Sequence, residues 1–302
     1  MIILIDSDIL VYRVGFAAQK KDPEGNMEVI PEGFAFARIT ESLINIRATL
    51  NDEPTRVFLT STDHSNYRYS IFPEYKGNRT APKPVLYDAL RKHLVEQHGA
   101  EIVYGEEADD RIGIEAMKNP EAIIVTIDKD LDQIPRTHYN FVKGLLYDVT
   151  PEEGMKFFYH QLLMGDRSDN IPGLTGIGQI KAEKALAQAT TEQECFNVAK
   201  ALYQKEFPET WEQILLRNGR LLKIRQKEGE IWCLPNTNDL SDQNVITWKE
   251  CFVLDKKSGN QNLESVFFYV LIVIEQDIIM RLIKWDMPQQ ERTEPQAVSA
   301  AA

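Results

Sequence analysis

Apolar residues along the chain follow two rhythms. Short runs of aliphatic and β-branched residues end in acids, and between them apolar positions recur at the spacing of a helix. The first run, "MIILIDSDIL", predicts a buried strand with polar groups at its carboxyl end. Positions 34–50 carry a helical period and precede "RVFLTSTD", a second strand that again ends in an acid. Residues 83–98 predict a helix with Pro82 and Pro84 near its start. "EIVYG" predicts a third strand, followed by the acid-led helix "EEADDRIGIEAM"; "AIIVTIDKDLD" predicts a fourth, and "YNFVKG" with "LLYDVT" an edge pairing. Strands alternating with helices predict an α/β fold whose mostly parallel sheet is covered on both faces. Ligands of such sheets bind outside the carboxyl ends of the strands.

From Thr150 the signals turn helical. "TPEEGMKFFYHQLLMG" opens with Thr150 as N-cap, Pro151 at the first position and acids in the first turn. "GQIKAEKALAQA", "TEQECFNVAKALYQKEF" and "TWEQILLRNGRLLKI" continue the helical part. The polar, turn-rich "PNTNDLSDQN" places a boundary near Pro235. Three regions result: 1–150, 151–235 and 236–302, the last a C-terminal extension without an assigned role that ends in a disordered tail from about 287.

Composition changes this picture little. The 302 residues are 43% hydrophobic and 26% charged, as in soluble globular proteins. The longest apolar run, 266–274, is too short to cross a bilayer as a helix. The first residues lack the positive start and cleavage site of a secretory leader. Cys195, Cys233 and Cys251 are spaced for neither a disulfide framework nor a zinc site, which fits a reducing cytoplasm. The formal net charge of −12 argues against a phosphate binder, unless the acids are gathered where cations bind.

The acids are indeed gathered at the predicted strand ends. They are Asp6 with Asp8, Asp63, Glu107 with Asp109 and Asp110, and Asp128 with Asp130. Asp166 and Asp169 of "MGDRSDN" could close the same cleft from the helical part. Any one group has a plain reading, as a turn or as the acidic start of a helix. So many like charges in one cleft would raise each other's pKa values unless cations bind there. Ligands that are all oxygen select hard ions such as Mg²⁺ or Mn²⁺. Two such ions roughly 4 Å apart suit phosphodiester hydrolysis. Lys76 and Arg79, three apart, would share a helix face and offset phosphate charge, and Tyr75 could stack on a base. Gly173, Gly176 and Gly178 permit a tight turn, and the following helix carries Lys181 and Lys184 toward a phosphate backbone. The plain readings are a solvated basic helix start, a packed surface tyrosine and a helix–turn–helix packing element.

"LIDSD", "STDHSNYR", "PEYKGNR", "GEEADD", "TIDKDLD" and "MGDRSDNIPGLTGIG" occur in the order of the flap endonuclease / 5′→3′ exonuclease family. The chain resembles that family over about residues 1–235, most of all bacteriophage exonucleases with a short arch. The resemblance implies a PIN-like α/β nuclease domain followed by a helix-3-turn-helix module built on a helix–hairpin–helix. It implies removal of nucleotides or short flaps from 5′ ends, nicks and gaps of duplex DNA, and action on RNA–DNA hybrids. By motif position Asp6, Asp63, Glu107 and Asp109, with Asp110 beside them, match the acids of a first Mg²⁺, for which Mn²⁺ could substitute. Asp128, Asp130, Asp166 and Asp169 match a second group. Lys76 and Arg79 match the pair that engages the scissile phosphate, and Tyr75 the base-stacking position. The glycine hairpin matches the duplex grip, often with a K⁺ ion. A phage-encoded member would work in the host cytoplasm.

Only 27 residues separate Arg79 from Glu107, fewer than a full helical arch needs, so exonucleolytic action is expected ahead of threading long flaps. Other readings stay open: a DNA-structure binder without catalysis, a PIN-type ribonuclease on single-stranded RNA and, more remotely, a phosphatase.

Overall fold

The first apolar run is the central strand of the molecule. In the computed structural model, which describes residues 1–235, β1 (Ile2–Asp6) buries Ile3, Leu4 and Ile5 completely. It leads straight into α1 (Asp8–Ala17), so the strand ends at Asp6 and the last three residues of "MIILIDSDIL" are helical, not extended. A small hairpin, β2 (Gln19–Lys21) with β3 (Met27–Val29), precedes α2 (Glu32–Thr49) and β4 (Thr55–Thr60). A short helix α3 (Arg68–Ile71), then α4 (Tyr87–His98), β5 (Glu101–Val103), α5 (Ala108–Lys118) and β6 (Ala122–Val125) follow. A 3-10 turn (Lys129–Gln133) leads to β7 (Thr137–Asn140) and β8 (Leu145–Asp148). The helical part holds α6 (Pro151–Met164), the two-residue strands β9 (Gly165–Asp166) and β10 (Ile171–Pro172), α7 (Gln179–Leu186), α8 (Glu192–Glu206) and α9 (Trp211–Leu222).

The six-stranded sheet runs β5-β4-β1-β6-β7-β8 and is parallel except for the β7–β8 hairpin. Ile3 and Ile5 point into a core under α1, α2 and α4 with Leu10, Ile39 and Leu90. Leu4 points the other way, with Phe58, Ile112 and Ile124 under α5. Both faces are covered, which is why the strands are apolar without alternation. The chain steps from β1 to β4 on one side and returns to β6 on the other. The carboxyl ends of β1 and β6 therefore flank the point where the order reverses, where open α/β sheets form a crevice.

α6 to α9 enclose a third core around Phe158, Leu162, Phe196 and Tyr203. Tyr75 lies in that core and Tyr69, Ile71 and Phe72 pack on it, so the segment before α4 belongs to the same packing as the helical part. Thr150 caps α6 as expected: Glu153 N donates to its Oγ1 at 3.2 Å and Thr150 N to Glu153 Oε2 at 2.8 Å.

Two local expectations are corrected. Residues 72–79 form successive turns rather than a helix, with Lys76 at φ +57°. Pro73 and Gly77 break the helical ladder there. The helix expected from 83 begins at Tyr87, because Pro84 holds the residue before it out of the helical region. Among the described residues, no helix is long and apolar enough to cross a membrane. The extension 236–302 and its expected tail lie outside the described residues.

Candidate active site

Asp6 ends β1 and is 5% exposed; its Oδ2 accepts from Thr126 Oγ1 at 3.1 Å. The same hydroxyl oxygen accepts from Asp128 N at 3.0 Å. One threonine just past β6 thus sets two acids from neighbouring strands side by side. Asp130 N donates to Asp128 Oδ1 at 3.0 Å, which holds the "DKD" segment at the entry of the 3-10 turn. Glu107 is the residue before α5 and Asp109 lies in its first turn, where the helix dipole favours acids.

The helical part adds two acids through a backbone device. Asp166 pairs with Ile171 across β9–β10. A Cβ on Gly173 would collide with the Met164 carbonyl, and Gly165 sits at φ +70°. Only glycine lets these strands close so tightly. Asp166 and Asp169 thereby reach the cleft that Tyr75, Glu107, Asp109 and Asp130 line.

Electrostatics ties the group together. Burial raises the Asp6 pKa to about 7, with Asp8 and Asp128 adding to it. Burial raises Asp130 to about 8, with Asp128, Asp166 and Asp169 adding. Asp109 is pushed up by burial and then by Asp6, Asp128 and Glu107. Asp128 is pushed up by burial and by Asp169 and Asp166. Seven of the nine expected acids therefore face one another at one edge of the sheet: Asp6, Glu107, Asp109, Asp128, Asp130, Asp166 and Asp169. They ring the cleft rather than converge on a point. Among the described residues, no three already form a ready coordination shell. The donor set, all oxygen and all anionic, fits hard divalent cations.

The basic pair lies at the rim of this ring. Lys76 Nζ bonds Glu107 and is 3.6 Å from Asp169, and Arg79 bonds Asp169. They reach the acids from turns rather than from one helix face. Gly176 sits at φ +70° in the hairpin before α7, and Gly178 precedes the helix. Lys181 Nζ donates back to Gly176 O at 2.7 Å, and Lys184 is exposed on the same helix.

Three expected site residues are placed otherwise. Asp63 lies in an exposed turn past β4, where its Oδ1 accepts from Ser65 N at 2.9 Å, outside the ring of acids. Asp110 is fully buried and bonded to Arg68. Burial alone would raise its pKa, but the Arg68 guanidinium reverses this and holds it below the ordinary value. Asp110 is thus a buried strut, with its charge already matched. Tyr75 is 2% exposed, so its ring has no free face for a base. Its hydroxyl lies 3.1 Å from Glu107 Oε2 and 2.8 Å from Asp169 Oδ2. With one proton for two carboxylates, it ties an acid of the sheet part to one of the helical part. Tyr75→Phe is expected to cost about 1.5–3 kcal/mol, read as a lower thermal midpoint. An unchanged midpoint would show that the hydroxyl's contacts with the two acids do not hold the fold together.

Sequence reasoning missed Arg68, Thr126, Gln133 and Gln161. Arg68 is 2% exposed, and its Nε donates to Leu221 O at 2.8 Å and its Nη2 to Lys223 O at 2.9 Å. Nothing in "NYRYS" marks that arginine as buried.

This mostly parallel α/β sheet, with acids ringing its carboxyl edge and a helical part closing the cleft, has the fold of the bacteriophage T5 5′-exonuclease. The model of the 5′-3′ exonuclease N-terminal, resolvase-like domain matches residues 1–160, and the chain belongs to that 5′-3′ exonuclease family. A 5′-3′ exonuclease of Buchnera aphidicola is 30% identical over 197 residues, covering 59% of this chain and 66% of that protein. A flap endonuclease Xni of Shewanella baltica is 31% identical over 176 residues, covering 52% of this chain and 67% of that one. A DNA polymerase I of Bacillus caldotenax is 28% identical over 256 residues, and the match spans only 28% of its length. In fold, the chain is similar to the bacteriophage T5 5′-exonuclease with bound zinc (TM-score 0.53, 19% identity, 73% of this chain and 88% of that one). It is also similar to the T5 flap endonuclease in a pseudo-enzyme-product complex with DNA and metal ions (TM-score 0.52, 17% identity, 73% of this chain and 88% of that one).

Proposed function

We propose that the chain is a divalent-metal-dependent 5′→3′ exonuclease on duplex DNA, acting at 5′ ends, nicks and gaps and, secondarily, on short 5′ flaps and RNA–DNA hybrids. In this reading residues 1–150 are the nuclease part and 151–235 a helix-3-turn-helix grip on the duplex. The observation that carries it is the ring of seven carboxylates drawn from both parts around one cleft. The metal-bound T5 relative supports the use of divalent ions, and the T5 complex with DNA supports the substrate class.

Mg²⁺ or Mn²⁺ pairs, held by Asp6, Glu107 and Asp109 on one side and Asp128, Asp130, Asp166 and Asp169 on the other, would supply Lewis-acid activation of water and of the phosphodiester. The chain's own residues do the rest. Tyr75 places its hydroxyl between Glu107 and Asp169, where it can donate to either acid. Lys76 and Arg79, already at the rim of the acids, offset the negative charge that grows on the phosphate oxygens. Water adds to phosphorus and the 3′ oxygen of the departing nucleotide leaves, so the shortened strand keeps a 5′-phosphate. Gly173, Gly176 and Gly178 with Lys181 and Lys184 hold the duplex backbone without reading its sequence, a hairpin that would suit a K⁺ ion.

The residues between Arg79 and α4 include no helix, which favours ends and nicks over threaded flaps. The test is product length on 5′-labelled duplex and flap substrates with and without Mg²⁺. Mononucleotides that appear only with Mg²⁺ are expected. Binding without cleavage would make the chain a DNA-structure binder, and faster cleavage of single-stranded RNA would make it a ribonuclease.

A further inference from the structure

Asp110, buried behind the cleft, and Asp130, which lines it, have opposite kinds of partner. Asp110 meets the positive guanidinium of Arg68. Asp130 meets a neutral amide: Gln161 Nε2, on α6, donates to Asp130 Oδ1 at 2.9 Å. Gln161 is 5% exposed, and behind it Gln133 is 1% exposed.

The orientation of both amides follows from their partners. Gln133 Nε2 lies 2.8 Å from Leu222 O, a carbonyl that can only accept. Gln133 Oε1 lies 3.1 Å from Ile224 N, which can only donate. The Gln133 amide is therefore fixed one way round. Its remaining N–H points to Gln161 Oε1 at 2.7 Å, which in turn leaves Gln161 Nε2 facing Asp130. The backbone at the end of α9 and just past it thus sets, through two side chains, which oxygen of Asp130 is occupied.

We infer that Gln161, backed by Gln133, is a positioning residue that orients the Asp130 carboxylate toward a divalent cation while leaving its charge intact. This rests on the reading of Asp130 as a metal ligand given above. A lysine or arginine at the same place would cancel the charge, as Arg68 does for Asp110. An apolar residue would leave Oδ1 free to turn. A neutral donor does neither, which is the arrangement by which outer hydrogen bonds tune metal ligands.

The test is calorimetric titration of the full chain with Mn²⁺ alone, in the unaltered protein, Gln161→Met and Asp130→Ala. Gln161→Met keeps the length of the side chain and removes the donor. It is expected to weaken Mn²⁺ binding by about 10–100-fold, with duplex affinity in chelator unchanged. A merely space-filling glutamine would leave the isotherm as it was, and that result overturns the inference. Should Gln161→Met not fold, Gln133→Met, which removes only the backing, decides by the same readout: weaker Mn²⁺ binding supports the inference and an unchanged isotherm overturns it. If Asp130→Ala itself leaves the isotherm unchanged, the ligand reading falls and the inference with it. A changed Asp130→Ala isotherm beside an unchanged Gln161→Met isotherm defeats the orienting role alone.

Discussion

Alanine at Asp128 or Asp130 is expected to remove cleavage by more than about a hundredfold, beyond the effect typical of outer partners of a metal ligand, while duplex binding in chelator persists. Both acids are raised in pKa by burial and by facing acids. Each variant removes one source of that repulsion and one hydrogen bond, Asp130 N to Asp128 or Gln161 Nε2 to Asp130, so the two effects offset and the fold should tolerate it. What it loses is an oxygen ligand for a hard cation. Loss of activity with a raised or unchanged thermal midpoint separates a ligand from a structural acid. Full activity in both variants would remove these acids from the reaction.

The second large effect is expected at Arg68. Its guanidinium bonds Asp110 and the carbonyls of Leu221 and Lys223, joining α5 to the end of α9. Arg68→Met leaves Asp110 fully buried and without its cation. Breaking a buried pair from one side costs about 3–5 kcal/mol. For a folded unit of this size that is a fall of roughly 10 °C in thermal midpoint. Replacing both partners, as Arg68→Met with Asp110→Leu, should recover much of the loss, because the desolvated charge goes with its partner. Thermal unfolding of the two variants checks this. An Asp110 that held a metal ion instead would show normal stability in Arg68→Met and lose metal binding in the double variant.

The two acids make clear how far local pattern carries. "EADD" reads as a pair of equivalent carboxylates at a helix start. The fold turns Asp109 toward Asp6 and Asp128 and buries Asp110 against Arg68, 42 positions earlier. "PEYKGNR" reads as an exposed basic segment, yet the Tyr75 ring is buried in the core of the helical part and its hydroxyl meets Glu107 and Asp169, 32 and 94 positions away. Gln161 is legible only as one polar position in a helix. Its meaning comes from Asp130, 31 positions back. Asp63 sits at the end of a strand-like run in the sequence, but β4 stops at Thr60 and the turn that follows carries the acid outward.

The order of the six sheet strands and of α2 and α4 to α9 along the chain, the helix cap at Thr150 and the placement of acids at the ends of β1 and β6 were determined by the sequence alone; α1, the β2–β3 hairpin and α3 were not. Those features depend on periodicity, strand termination and capping, which act over a few residues. The tertiary structure decided which acids face one another, which is neutralised and which carboxylate is held by a neutral amide. A charge's role depends on the partner that desolvates or matches it, and here those partners are supplied by segments far apart in the chain.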